Sequence, residues 1–309
     1  MIRKLPAEVR AFAKINLTLR VLGVRPDGYH ELRTVFQSIQ LHDRLVFEPA
    51  SGPFAIVCDD PACPTDERNL VWRAAALLWR ASGRRGAPRD VRVHLFKGIP
   101  AQAGLGGGSS DAAATLRMLS AVWCPGAFEE RELAQLGRTL GADVPYFLHG
   151  GTVLGVERGD RLFPLVDAEP AWVVLAQPDF GVSTADAYRW FDARSRPAVR
   201  PAGRAVIASP GPVPPGPYGD GGNDLEGPVA RRHPAIGRLV RSLGRQGAVW
   251  AAMSGSGSVC FGLFRSAAAA RRAAASVRSP RVSVLVTRTL SSAEYRAGSE
   301  PMRTARARR

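Results

Sequence analysis

Long hydrophobic runs are missing from this 309-residue sequence. No stretch of about 18 apolar residues occurs, which excludes an ordinary transmembrane helix. Cysteine is scarce as well, and the four cysteines have neither zinc-ligand spacing nor the density of a disulfide scaffold. Met1 to Lys4 leads into Pro6 and Glu8 rather than into an apolar segment, so we expect no secretory signal. We therefore expect reduced thiols in a cytoplasmic protein.

Lysine is nearly absent, although the net charge is +15. Only Lys4, Lys14 and Lys97 occur among the 42 basic residues, and the other 39 are arginine. Residues 265–309 contain 11 arginines and two glutamates, which gives this end +9 and leaves +6 for the rest. Such a basic end binds nucleic acid non-specifically, but no aromatic-interleaved stripe or recognition motif accompanies it. The charge favours attraction of anionic small molecules.

Alternating and helical patterns both run through the chain. Within residues 9–22, the apolar side chains Ala11, Ala13, Ile15, Leu17, Leu19 and Val21 fall on one face and the polar side chains Lys14, Asn16, Thr18 and Arg20 on the other, which is typical of a half-buried strand. Helical spacing is found over 69–82, 112–122 and 129–140. Further strands are predicted near 91–96, 151–156, 172–177, 249–253, 258–264 and 282–286.

This mixture predicts an α+β protein with two lobes. We place the first domain at residues 1–160 and the second at 161–292. Residues 196–222, rich in proline, glycine and alanine, are expected to form a long surface loop within the second domain. Residues 293–309 are expected to form a disordered basic tail.

A glycine-rich run from Pro100 to Asp111 separates a predicted strand from a predicted helix. Glycines permit positive φ and close backbone approach, and the free N–H groups of a helix N-terminus attract anions. Ser109 and Ser110 add hydroxyl donors, and either Ser110 or Asp111 is expected to cap the helix. No lysine follows the glycines, which excludes a Walker A loop, and the run is misplaced for a Rossmann fingerprint. The pattern predicts a phosphate-binding loop.

Four other residues are candidates for chemistry. Lys14 is a lysine in an arginine-dominated chain, which indicates a need for a compact charge; the alternative is a solvated side chain on the strand face. Asp143 follows a helix in a turn and is either a helix cap or a base. Tyr29 and His30 follow the Gly28 turn and either stack on a planar ligand or belong to the packing.

A second glycine-serine run covers residues 253–258, with Met253 followed by alternating serine and glycine. Alone it is most often a tight hairpin. A serine hydrolase is rejected, because the nucleophile elbow requires a strand–turn–helix context that is missing here.

Together these motifs resemble the GHMP kinase superfamily, named after galactose, homoserine, mevalonate and phosphomevalonate kinases. The resemblance covers residues 9–290 and rests on segments 13–17, 27–32, 104–110, 141–145, 223–226 and 253–257. Within the superfamily, the Asp-Gly-Tyr-His turn and the Gly-Ala-Asp-Val-Pro segment are similar to members that act on a cytidine diphosphate-linked methylerythritol.

The resemblance implies a two-lobed GHMP kinase fold, with an N-terminal ribosomal-protein-like α/β domain and a C-terminal α+β sandwich domain. It implies ATP-dependent phosphorylation of the 2-hydroxyl of that small molecule, with ATP and Mg²⁺. The implied protein is a monomer or homodimer that binds no membrane and no specific nucleic acid. The alternatives are another small-molecule kinase of this superfamily, of homoserine or mevalonate type, or a basic RNA-binding protein on a similar fold.

Roles are implied position by position. Lys14 and Asp143 match the catalytic pair of these kinases, whereas no Mg²⁺ ligand is indicated. ATP binding is implied for Lys97, Pro100, Ala101, Gln102, Ala103, Gly104, Leu105, Gly106, Gly107, Gly108, Ser109 and Ser110. Substrate binding is implied for Asn16, Tyr29, His30, Ser183, Thr184, Tyr188 and Gly255. One departure is Glu157, which stands where many members have glycine.

Overall fold

The structure is a computed structural model that describes residues 5–193 and 222–303. The loop predicted at 196–222 lies outside the described residues except for Gly222, and so do residues 304–309 of the predicted tail. The strands are β1 (Ala7–Val24), β2 (His30–Pro53), β3 (Ala55–Cys58), β4 (Arg89–Phe96), β5 (Thr152–Glu157), β6 (Arg161–Pro164), β7 (Trp172–Pro178), β8 (Gly222–Asn223), β9 (Trp250–Met253), β10 (Cys260–Phe264), β11 (Val282–Arg288) and β12 (Met302–Arg303). The helices are α1 (Leu70–Ala81), α2 (Gly107–Trp123), α3 (Glu130–Leu140), α4 (Val144–His149), α5 (Thr184–Asp192), α6 (Glu226–Arg232), α7 (Pro234–Arg245), α8 (Ala267–Val277) and α9 (Ser292–Ser299).

The first sheet is built around the long antiparallel pair β1 and β2. The edge of β2 that faces away from β1 has two partners: the first part of β2 pairs with β5, and its second part pairs with β4. Strand β3 then pairs in parallel with β4, and β6 pairs with β5. On the other side, β1 receives the short strands β12 and β8. β1 is therefore an interior strand of this sheet.

The second sheet has the antiparallel order β11-β7-β10-β9. Helices α1 to α4 contribute buried side chains to one core beneath the first sheet, and α6 to α8 contribute to a second core against the second sheet. A third cluster joins Ala13, Ile15 and Leu17 of β1 to side chains of the second sheet, among them Leu175 and Phe261. The central strand thus packs against both parts of the molecule.

Most predicted elements are present, and several helices begin at a residue whose side chain caps them. The Asn69 side chain accepts a hydrogen bond from the backbone N–H of Val71 at 2.9 Å and so caps α1. The predicted boundary at residue 160 divides the chain less cleanly than expected, since β6, β8 and β12 all join the first sheet. In the part of the chain that the structure describes, no helix combines the length and apolar composition needed to cross a bilayer.

The prediction of a disordered tail beginning at residue 293 is wrong for residues 293–303. Helix α9 starts with a capping box in which Ser291 and Glu294 bond each other's backbone N–H. Tyr295 of this helix is buried beside Phe12 of β1, with ring centroids 5.6 Å apart. One buried aromatic among charged and small residues gives little periodicity, which explains why the helix was missed.

Candidate active site

The polar face of β1 is buried, contrary to the half-buried strand predicted. Lys14 is 3% exposed, and Asn16, Thr18 and Arg20 are buried as well. The predicted strand is confirmed. Its polar face is buried because the glycine-rich loop, α4 and the 223–226 segment cover it. The alternative that Lys14 is a solvated surface lysine is therefore wrong.

The ammonium group of Lys14 lies between two oxygen atoms. Its Nζ donates a hydrogen bond to Oδ1 of Asn16 at 2.7 Å and lies 3.4 Å from Oδ2 of Asp143. Asn16 in turn donates from Nδ2 to the Thr34 hydroxyl at 2.7 Å, which fixes the orientation of its amide. A buried lysine held by two neighbours places a positive charge at a defined point.

Asp143 occupies the N-cap position of α4, but its side chain makes no capping hydrogen bond. Its side chain is 33% exposed, whereas the neighbouring Lys14 side chain is nearly inaccessible. One carboxylate oxygen faces Lys14 and part of the group remains open. The capping alternative for the Asp143 side chain is therefore wrong, and its role as a base stays a prediction.

The glycine-rich loop passes directly over this pair. The backbone N–H of Lys14 donates to the carbonyl of Leu105 at 3.0 Å. Gly106 has φ +75°, and a Cβ there would lie 2.6 Å from Cζ of Phe147 and 3.3 Å from Cε of Lys14. Only glycine fits such a crossing, because both the left-handed backbone and the short contacts exclude a side chain.

Helix α2 begins at Gly107, with Gly106 as its N-cap, so the predicted capping by Ser110 or Asp111 is wrong. The Ser110 hydroxyl is buried and donates to the carbonyl of Phe12 at 2.7 Å, which ties α2 to β1. Ala103 and Leu105 also direct buried side chains into the core. The loop therefore offers backbone N–H groups and the positive end of α2, rather than these side chains, to an anion.

Lys97 lies between two buried carboxylates. Its ammonium group bonds Oδ2 of Asp43, and Oδ2 of Asp111 lies 2.8 Å away. Burial lowers the pKa of Lys97, but the charges of Asp111 and Asp43 outweigh this and raise it. Asp43 also accepts the backbone N–H groups of Gly98 and Ile99 at 2.6 and 2.7 Å. This cluster connects the start of the loop to α2.

The late serine-glycine run meets the glycine-rich loop. Ser254 donates from its hydroxyl to the carbonyl of Gly104 at 2.9 Å. A Cβ at Gly104 would lie 2.1 Å from the carbonyl oxygen of Ser254, and one at Gly255 would lie 3.3 Å from Oδ1 of Asn16. The two glycine-rich segments and the Lys14 strand thus form one surface.

A group of aromatic side chains borders this surface. His30 stacks on Tyr188 with ring centroids 4.5 Å apart, and its Nε2 lies 2.8 Å from Oδ1 of Asp192. Burial raises the pKa of Tyr188, and the negative charges of Asp143 and Asp192 raise it further. Tyr29 is 57% exposed, with the guanidinium of Arg158 above its ring at 5.0 Å.

The remaining predicted substrate residues sit at the start of α5. The Ser183 side chain caps this helix by accepting the N–H of Asp186 at 3.0 Å, so its hydroxyl oxygen already has a partner. The Thr184 hydroxyl lies 3.0 Å from that of Ser256 in the late serine-glycine run, residues 253–258, called the late loop below. Both positions are near the site surface, and Thr184 is directly connected to it.

Sequence reasoning missed several residues that shape the site. Asp43 and Thr34 stand in unremarkable strand sequence, and only the tertiary structure brings them to the site. Ser254 and Asn223 lie in segments that supported the family resemblance, but the sequence assigned neither a role. The missed residues are Thr34, Asp43, Asp111, Phe147, Asn223, Ser254 and Ser256.

Comparison with known proteins identifies the family. Residues 69–151 match the family described as "GHMP kinases N terminal domain", and residues 218–281 match "GHMP kinases C terminal". A 4-diphosphocytidyl-2-C-methyl-D-erythritol kinase from Pelotomaculum thermopropionicum is 44% identical over 90% of this chain and 96% of its own length. The enzyme of the same name from Moorella thermoacetica is 42% identical over 91% of this chain and 98% of its own.

Solved structures agree with this relationship. A crystal structure of 4-(cytidine 5'-diphospho)-2C-methyl-D-erythritol kinase superposes with a TM-score of 0.73 at 37% identity, covering 91% of this chain and 98% of that chain. A mevalonate kinase from Methanococcus jannaschii superposes with a TM-score of 0.64 at 12% identity, covering 94% and 100%, which concerns the fold alone. The predicted two-lobed fold and superfamily are confirmed, and the chain belongs to the 4-diphosphocytidyl-2-C-methyl-D-erythritol kinase family of the GHMP kinases.

Proposed function

We propose that this protein transfers the γ-phosphoryl group of ATP to the 2-hydroxyl of 4-diphosphocytidyl-2-C-methyl-D-erythritol, in the route to isoprenoid precursors that does not use mevalonate. The observation that carries the proposal is the Lys14–Asp143 pair, 3.4 Å apart beneath the glycine-rich loop. A phosphoryl transfer needs positioning and charge neutralisation at one place, and this arrangement supplies both.

Each group has a defined part in the transfer. The hydroxyl oxygen attacks the γ-phosphorus, the bond to the β–γ bridging oxygen breaks, and ADP departs. Asp143 accepts the hydroxyl proton, which its part-exposed carboxylate is placed to do. Lys14 stabilises the charge on the transferred group, while loop N–H groups and the N-terminus of α2 hold the phosphates.

Mg²⁺ belongs to the proposal as the ion that neutralises phosphate charge. In the described residues, no three His, Cys, Asp or Glu side chains gather into a metal cluster. Mg²⁺ at phosphoryl-transfer sites takes one or two carboxylates, and phosphates and water supply its other ligands. We therefore assign the ion mainly to phosphate and water ligands, because the open part of the Asp143 carboxylate serves as the proton acceptor.

Recognition of the cytidine is assigned to the aromatic group of Tyr29, His30 and Tyr188. A base stacked on these rings is held in one plane, and polar edges nearby distinguish it from acceptors that have no base. The stacked His30–Tyr188 pair supports this assignment, because it lies on the same side of the molecule as Asp143, whose charge acts on Tyr188. Cytoplasmic location and a monomeric or homodimeric state complete the proposal.

ADP release with MgATP tests the function, with the cytidylyl methylerythritol, homoserine and mevalonate as separate acceptors. We expect turnover with the first acceptor alone, and a loss of at least about 100-fold in Asp143→Asn. Asp90→Asn, the same exchange on strand β4, is the control and keeps full activity. Turnover with homoserine or mevalonate instead would contradict the substrate, and salt-sensitive RNA binding without turnover would contradict the kinase activity.

A further inference from the structure

The segment Asn223–Glu226 has no part in the mechanism above, yet it lies against the strand that carries Lys14. Strand β8 pairs in parallel with β1, with Gly222 opposite Thr18 and Asn223 opposite Leu19. The backbone N–H of the next residue, Asp224, donates to the carbonyl of Leu19 at 2.9 Å. The segment is therefore placed by the strand that also places the site.

The Asn223 side chain is buried, and both ends of its amide are used. Its Nδ2 donates to the carbonyl oxygens of Met253 and Gly255 at 2.8 and 2.6 Å. Its Oδ1 accepts the N–H of Leu225 at 2.9 Å. Two donors meet two loop carbonyls, and only an amide at this position offers that pattern.

Glu226, in the same segment, binds the backbone N–H of Met253, the first residue of the serine-glycine run. Oε2 of Glu226 accepts the backbone N–H of Met253 at 2.8 Å. Both backbone polar groups of Met253 are thereby bonded to side chains of the 223–226 segment. The 223–226 segment therefore holds the start of the serine-glycine run at residues 253–258, which contacts the glycine-rich loop through Ser254.

Residues 254 and 255 of this run are in close contact with the glycine-rich loop and with Asn16. Ser254 bonds the carbonyl of Gly104, and any Cβ on Gly104 would overlap the Ser254 carbonyl. Gly255 lies against Asn16, the residue that orients Lys14. Because close-packed backbone segments transmit small displacements, the position of the late loop sets the positions of Gly104 and Asn16.

We propose that Asn223 is a positioning residue for phosphoryl transfer, which acts by holding residues 253–255 against the glycine-rich loop and the Lys14–Asn16 pair. This proposal rests on the proposed kinase function for its kinetic part only. Its structural part, the restraint of the late loop by the Asn223 amide, is independent of which acceptor is used.

The test replaces Asn223 by aspartate, which keeps the shape but sets carboxylate oxygens against the carbonyls of Met253 and Gly255. The matched control is Asp224→Asn, the reverse exchange at the next position. Asp224 bonds Arg20 and the N–H of Val21 at 2.8 and 2.9 Å, and neither contact involves the late loop. Asn223→Ala serves as a milder variant, since it removes the donors without adding a charge.

Hydrogen exchange and kinetics are both measured on the folded full-length protein. In Asn223→Asp, we expect exchange of the amides in 253–259 to accelerate at least tenfold, with the amides of β2 unchanged. We expect the KM for ATP to rise at least tenfold, and Asn223→Ala to lie between this variant and the wild type. Asp224→Asn should keep both quantities within threefold of the wild type.

Several results would overturn the proposal. Unchanged exchange at 253–259 in both Asn223 variants would show that the amide does not restrain the loop. A fall in kcat with both the KM for ATP and the exchange at 253–259 unchanged would indicate only a smaller folded fraction, as would equal effects in Asp224→Asn. Wild-type protein that does not phosphorylate the cytidylyl substrate would contradict the proposed function, while the exchange comparison would still decide the role of Asn223.

Discussion

The Tyr295 hydroxyl donates a hydrogen bond of 2.6 Å to the carbonyl oxygen of Phe147. This contact joins α9, near the C-terminal end of the described chain, to α4, which begins next to Asp143. Arg117 makes a parallel connection, from Nη2 to the carbonyl of Leu148 at 2.5 Å and from Nη1 to the Ser299 hydroxyl at 3.1 Å. Because α4 has only six residues, its position depends on such tertiary contacts.

Replacing Tyr295 by phenylalanine keeps the buried ring and removes this hydrogen bond. We expect unfolding stability to fall by about 1 kcal/mol and kcat to fall severalfold, because the end of α4 loses a restraint. Ser266→Ala, which removes the side-chain cap of the distant α8, is expected to cost a similar amount of stability with kcat unchanged. Thermal denaturation and steady-state kinetics measure both quantities, and an equal effect of the two variants on kcat would contradict the positioning role.

Gly106→Ala tests the crossing of the glycine-rich loop over Lys14. The new Cβ meets the ring of Phe147 at 2.6 Å in a backbone with φ +75°. We expect kcat/KM to fall at least tenfold, since either the loop or Phe147 must move. The control is Gly126→Ala, which has φ +80° but no atom within 4 Å of the added Cβ. It carries a backbone strain of about 1 kcal/mol and should leave kcat/KM unchanged; a matching loss in both variants would refute the steric explanation.

Glu157→Gly is expected to stabilise the protein. Glu157 has φ +62°, a left-handed conformation that glycine adopts without strain. Its ion pair with Arg161 is exposed and contributes little. The gain should be about 0.5–1 kcal/mol, measured by denaturant unfolding. Glu157→Ala loses the same ion pair but retains the strain, so an equal gain with alanine would show that the backbone is not the cause.

Asp111 predicts a pH dependence of stability. Burial raises its pKa to about 8, although the nearby Lys97 lowers it, and its Oδ1 has no hydrogen-bond partner among the described residues. The folded state therefore favours the protonated form of Asp111. The stabilisation that this preference gives to the folded state is lost as the pH rises towards and through 8. Between pH 6 and pH 8 we expect a loss on the order of 1–2 kcal/mol.

The comparison uses Asp111→Asn, which mimics the protonated carboxyl and stays neutral. Its melting temperature should change less between pH 6 and pH 8 than that of the wild type, for which a decrease of a few degrees is expected, about 2–4 °C per kcal/mol. Parallel melting curves for the two proteins across this range would contradict the raised pKa. Asp59→Asn, an exchange at a nearby surface aspartate, should retain the wild-type slope.

Local sequence features predicted much of this protein. Alternation identified β1, helical spacing identified α1 and α3, and the glycine run lies between a strand and a helix, β4 and α2, as predicted. Lys14 and Asp143 lie in short segments that carry the family resemblance, and the structure brings their side chains within 3.4 Å of each other; their catalytic roles stay predictions. By contrast, the sequence did not predict the 24-residue strand β2. Its two halves pair with different strands, and no single alternation of apolar and polar residues runs through it.

The sequence by itself determined which residue types are available and where helices and tight turns form, because both depend on neighbours within a few positions. Only the tertiary structure decided that the polar face of β1 is buried, that Asp43 and Asp111 share Lys97, and that the residues after 292 support α4. These relationships join positions far apart in the chain. They depend on how the sheets and helices pack, which no local pattern encodes.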